Sequence, residues 1–137
     1  MGVKSIGEGL KKRLRTINDL RVYAPHELPK SIRDFPVALI MPPATSYHDT
    51  HGGADYMTLT YRILLALTNQ DQPDKLSKLI DYIEPTGDKS IVAAIEGDGT
   101  LGGEASDSWV LNNSGAGYVN WGGINYLGTE FESKVLS

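Results

Sequence analysis

The sequence contains no cysteine. This excludes disulfides and thiolate metal sites, removes the cysteine nucleophile, and leaves a reducing cytosol as the natural compartment. No apolar stretch approaches the ~20 residues of a membrane-spanning helix, so no membrane partner is expected. The opening MGVKSIGEGL lacks the apolar core of a secretory signal. Ile6 stands where a myristoylation pattern wants Ser or Thr. Positive charge is also scarce: 13 Lys and Arg face 17 Asp and Glu, for a net charge of −4. A dedicated nucleic-acid binder is normally basic, because phosphate neutralisation supplies much of its affinity. The one basic cluster, Lys11, Lys12, Arg13 and Arg15, reads as the solvated face of a helix.

At 137 residues the chain is expected to be a single domain, 1–137, large enough to fold around its own core. Its strongest pattern is Asp55–Thr68, DYMTLTYRILLALT. Met57, Leu59, Tyr61, Ile63, Leu65 and Leu67 occupy alternate positions, so this is read as one long strand with a continuous apolar face. The other face changes from Thr58, Thr60 and Arg62 to Leu64 and Ala66. One end should therefore have a face in water, and the other should be covered on both sides.

Ahead of it, Ile6, Leu10, Leu14 and Ile17 form the stripe of a helix, with Ser5 a candidate N-cap and Asn18-Asp19 suited to its exit. Leu20–Tyr23 reads as a short strand, and APHELPKSI as a proline-bounded loop. Phe35–Met41 reads as a second strand, with Phe35, Val37, Leu39 and Met41 on one face and Ala38 and Ile40 on the other. The stretch from Pro42 to Asp55 is read as a long loop; it should join antiparallel neighbours. Beyond the central strand, Asp71 is expected to cap a helix whose buried stripe is Leu76, Leu79, Ile80 and Ile83. A shorter helix should span Asp88–Glu96, with Gly97 in the left-handed C-terminal position. From Ser106 onward two β segments read as a glycine-rich hairpin. The expected fold is α+β: a mostly antiparallel mixed sheet of about four to five strands, helices packed on one side, in the order α-β-β-β-α-α-β-β.

Motifs for chemistry are sparse. Gly97-Asp98-Gly99-Thr100-Leu101-Gly102 matches G-x-G-x-x-G formally, but a helix precedes it and a strand follows, the reverse of a dinucleotide site. It reads as a turn, and no cofactor is expected. His48-Asp49-Thr50-His51 offers two imidazoles and a carboxylate, a zinc or non-haem iron ligand set that still needs another ligand; His26 is the only other histidine. A loop that meets a partner is the preferred reading, and no metal is assigned. Glu130 and Glu132 could be a carboxylate dyad but read as a solvated strand face. No G-x-S-x-G elbow is present, and no enzyme activity is expected.

The order of local signatures resembles the tail terminator (tail completion) proteins of siphovirus-type bacteriophages. The resemblance is carried by LRVYAPHELP, FPVALIMPP, YHDTHGGADYMTLTYRILLAL, DKLSKLIDYIEPTGDKSIVAAIEGDGTLGG and NYLGTEFESKVL, nearly the whole chain, with SIVAAIEGDGTLGG the most distinctive part. It implies a virion protein, assembled in the host cytoplasm, that forms a homohexameric ring at the head-proximal end of the tail tube. Such a ring stops tube polymerisation and offers a docking surface to the head–tail connector or stopper protein. An acidic ring would let DNA pass without phosphate contacts holding it. Cyclic symmetry needs two complementary patches per subunit. The expected contact residues are Tyr47, His48, Asp49 and His51 in the long loop and Trp121 in the glycine-rich turn. The rival readings are a head–tail connector or stopper component of the same phages, which shares this fold, and a small metal-dependent enzyme using His48, Asp49 and His51.

Overall fold

The structure, a computed structural model, describes the backbone of residues 2–51, 54–69 and 72–137; the side chains at 49–51, 54–56 and Pro73 lie outside the description. Among the described residues, seven strands form one mixed sheet and three α-helices pack against it. The elements are α1 (Val3–Leu14), β1 (Arg21–Tyr23), β2 (Val37–Ile40), β3 (Ala44–His51), β4 (Ala54–Asn69), α2 (Leu76–Ile83), α3 (Ile91–Glu96), β5 (Asp107–Asn113), β6 (Gly117–Trp121) and β7 (Ile124–Leu136). The α+β class holds, and the strand count and order differ from expectation. About four to five strands were expected; β3 lies inside the expected Pro42–Asp55 loop, and the segment after Ser106 splits into β5 and β6.

Two long strands organise the sheet. β4 has 16 residues and β7 has 13, paired antiparallel from Thr58↔Leu136 to Asn69↔Tyr126. The outer edge of β4 is shared by β2 and β3, and that of β7 by β5 and β6. β2 is antiparallel to β4, as expected, and β1 joins β2 in parallel. β6 and β7 meet at Gly122-Gly123, both at positive φ (61° and 82°), as a two-residue hairpin turn requires.

The alternation along β2 and β4 sorts residues between two cores. Ala38, Ile40, Leu59, Tyr61, Ile63 and Leu65 face the helices, meeting Ile6, Leu10 and Leu14 of α1, Leu79 and Tyr82 of α2, and Ile91 and Ile95 of α3. Tyr61 is fully buried and its hydroxyl donates to the Val3 carbonyl at 3.2 Å; burial pushes its phenol pKa up. The opposite face carries a smaller core: Val37, Leu39, Ala66 and Tyr126, covered by Leu28, Ile32 and Phe35 from the loop after β1 and by Val119 and Trp121 of β6. That loop and β6 therefore cover the Leu64–Ala66 end of β4, while Arg62 on the same face is exposed. The two-faced reading of this strand is correct.

The local capping differs in detail. Gly2, not Ser5, is the N-cap of α1; Ser5 sits one turn in, accepting from the Gly2 N–H and donating to the Gly2 carbonyl, both at 3.0 Å. The expected cap Asp71 lies outside the described residues, and α2 begins after a 3-10 turn at Pro73–Lys75; of its expected buried stripe Leu79 is buried, whereas Leu76 and Ile80 are exposed and Tyr82 takes the inward place. α3 starts at Ile91 rather than near Asp88, because the Ser90 hydroxyl accepts from the Ala93 N–H at 3.0 Å. Gly97 is right-handed (φ −62°), not left-handed. Its lack of a side chain is steric: an added Cβ would lie 2.7 Å from Arg13 Nη2 and 2.9 Å from the Ala93 carbonyl oxygen. Arg13 Nε donates to the Ala94 carbonyl at 2.8 Å, locking α1 to α3 at this close approach.

Candidate interaction surface

The residues singled out from sequence fall at separate places. β3 and the first residues of β4 form a two-stranded arm. β7 pairs with β4 only from Thr58 onward, whereas Asp49↔Tyr56, Thr50↔Asp55 and His51↔Ala54 pair with no further strand among the described residues. Three such pairs carry the arm about 10 Å past the sheet at ~3.3 Å per residue. The Ser137 backbone N–H, donating to the Met57 carbonyl at 3.0 Å, marks its base.

The arm is irregular at Tyr47-His48, where the register shifts between Ser46 and Asp49 and His48 adopts φ 61°. A bulge of this kind kinks a strand and re-aims its side chains. Tyr47 is 65% exposed, the most open of the large apolar side chains among the described residues. His48 is also exposed. The backbones of Asp49 and His51 belong to β3, and their side chains lie outside the described ones. The expected loop is thus a β-hairpin, with Tyr47 and His48 on it.

Trp121 is at the opposite end of the molecule, half-buried in the smaller core, and its indole N–H donates to the Pro29 carbonyl at 2.9 Å. It pins the loop after β1 to the β6–β7 hairpin. His26 pairs with Glu8 at 3.0 Å, beside the Lys11–Glu27 pair, and both pairs link α1 to the loop after β1. Among the described residues, no group of three or more His, Asp or Glu side chains could hold a metal ion.

The formal glycine motif is a turn. Asp98 Oδ1 accepts from the Thr100 N–H (3.1 Å) and hydroxyl (2.6 Å), and Oδ2 accepts from the Gly102 N–H (3.0 Å). The Thr100 hydroxyl, then the Gly102 N–H, hold the carboxyl below its usual range. Of the candidate dyad, Glu130 is ion-paired with Arg62, and Glu132 accepts from the Asn112 amide at 3.3 Å. Both carboxylates are thereby engaged in links across the sheet.

One feature escaped the sequence reading. A cavity of about 430 Å³ opens where the far end of β4 meets α2, over Leu67 and Tyr82 and rimmed by Lys75, Lys78, Lys89, Asp19 and Asp81. These residues come from distant segments, so no local motif announces them. Lys89 Nζ is anchored on the Asn18 carbonyl at 3.0 Å. Lys75 and Lys78 have no acidic partner within 4.0 Å among the described residues. No helix among the described residues is long and apolar enough to cross a membrane. No family model matches the chain, and no curated protein matches it.

Proposed function

We propose that this chain is a structural protein of a siphovirus-type tail: it forms a ring on the end of the tail tube, stops tube polymerisation and presents the docking surface for the head–tail connector. The observation that carries this reading is the β3–β4 arm. A two-stranded extension with an exposed tyrosine, whose outer strand pairs with no further described strand, is costly to leave bare, because open edge strands invite pairing with other chains. A partner that covers it removes that liability. The arm is also built into the longest strand of the core, so force or position at the tip is transmitted to a rigid sheet. The resemblance in the order of signatures supplies the particular partner, the tube end.

The test replaces residues 47–57 with Asn-Gly, leaving Ser46↔Thr58 as the closing pair of a tight hairpin. The variant is expected to fold, with a cooperative thermal transition, and to lose the ability to stop growing tubes. A folded variant that still caps tubes would remove the arm from the mechanism.

A further inference from the structure

We infer that the arm of one copy seats in the cavity beside α2 of the next copy, with Tyr47 as the inserted side chain. The inference rests on the ring reading above and names the contact that would build the ring.

Geometry comes first. The arm leaves the molecule at the start of β4 and the cavity lies at its end, next to Leu67. Ten residues separate Met57 from Leu67, roughly 33 Å of extended strand. The intervening strand is fixed on both edges in the sheet, so a chain cannot reach its own cavity. Any arm-to-cavity contact is therefore between copies and head-to-tail. A contact of that type uses two different patches and closes into a ring when the rotation allows.

Chemistry matches as well. Residues 44–57 contain two aspartates and neither lysine nor arginine. Among the described residues the cavity rim has three lysines against two aspartates, and none of the three has an acidic partner within 4.0 Å; Lys89 is held by the Asn18 carbonyl, whereas Lys75 and Lys78 lie further round the rim. The floor, Leu67 and Tyr82, suits an aromatic ring, and the rim offers both donors and acceptors to a phenol hydroxyl. At about 430 Å³ the cavity lies near the small end of the ~300–1,000 Å³ range of ligand clefts, a size for one side chain and its flanks rather than a strand.

The cysteine-free sequence provides a clean reporter. A chain carrying both Tyr47→Cys and Lys78→Cys is treated with a short bis-maleimide, free and on capped tube ends, and run on denaturing gels beside native mass spectrometry. A ladder ending at the ring size is expected from the double variant, only dimers from a mixture of the two single variants, and monomers from either alone. Tyr47→Ala should weaken assembly about thirtyfold, the scale of an interface hot spot. The paired Lys75→Glu and Lys78→Glu changes should weaken it at least tenfold, with the melting temperature unchanged. Linkage of Tyr47→Cys chains to one another would overturn the inference, since arms would then meet arms. Rings without arm-to-cavity linkage would overturn it and leave the ring reading standing. Chains that stay monomeric both in solution and on tubes would end both.

Discussion

Gly128 and Gly117 face each other across the β6–β7 ladder, and alanine should have opposite effects at the two positions. At Gly128 an added Cβ would lie 2.0 Å from the Leu65 carbonyl oxygen and 3.0 Å from Val119 Cγ2. Contacts under 3.0 Å are essentially never made by real Cβ atoms, so β4 and β7 must part. They would part beside the bulge between Ala66 and Thr68, where the two central strands change register. Losing about two ladder hydrogen bonds costs about 2 kcal/mol, and overpacking a filled core adds about 1–3 kcal/mol. The total, about 3–5 kcal/mol, is a large part of the ~5–15 kcal/mol that holds an ordinary domain folded. For a chain of this size it corresponds to a fall of roughly 10–20 °C in melting temperature. At Gly117 nothing lies within 4 Å of the added Cβ, and its φ is not positive. Gly117→Ala should be neutral or stabilise by about 0.4–1 kcal/mol through the unfolded state. Circular dichroism melts of the two variants provide the assay. A Gly128→Ala protein melting within about 3 °C of the wild type would refute the close-approach argument.

Three further expectations concern the parts that hold the surface in place. Ser90→Ala removes the N-cap of α3 and should cost about 1–2 kcal/mol in chemical denaturation, with the loss seen as a lower midpoint at unchanged slope. Trp121→Phe keeps the ring in the smaller core but loses the bond to Pro29, so about 1 kcal/mol is expected, together with faster amide exchange across residues 27–33. Glu27 is held below its usual value of 4.5 by the Lys11 ammonium and the Ala24 N–H. A depressed carboxylate contributes stability that is present above its unfolded pKa and is lost as pH falls through the folded one. Glu27→Gln should therefore melt lower than wild type at pH 7, and the two melting curves should converge as the pH falls below about 4. A difference that persists unchanged at pH 3 would assign the effect to something other than this carboxylate.

The parts of the fold that the sequence made legible are those with one buried face. The alternation from Met57 to Leu67, the helical stripe through Ile6, Leu10 and Leu14, and the split of β2 between Ala38/Ile40 and Val37/Leu39 each match the two cores. β3 was illegible by the same criterion. ATSYHDTH has no apolar alternation, since the arm has no core to face, and Pro42-Pro43 suggested that a loop began there. The Gly52-Gly53 pair was the hairpin signal available in that stretch of sequence; the pair itself lies outside the described residues. Gly97 was misjudged because conformation and steric room both favour glycine, and only the position of Arg13 distinguishes them. The candidate surface was half legible. Tyr47 and His48 were marked by their long polar segment, and the structure puts them on one arm. Lys75, Lys78 and Lys89 escaped notice because the cavity they rim is made by tertiary contact between α2, the turn before α3 and the end of β4.

The central claim is that this chain ends a tail tube. The measurement that bears on it most directly is tube length by negative-stain electron microscopy, with the tube protein polymerising in the presence and absence of the purified chain. The account predicts that added chain stops growth and leaves a ring of extra density at one end of each tube. Tubes of unchanged length with bare ends would contradict it, and binding of the same chain to a portal or adaptor complex would then favour the connector reading.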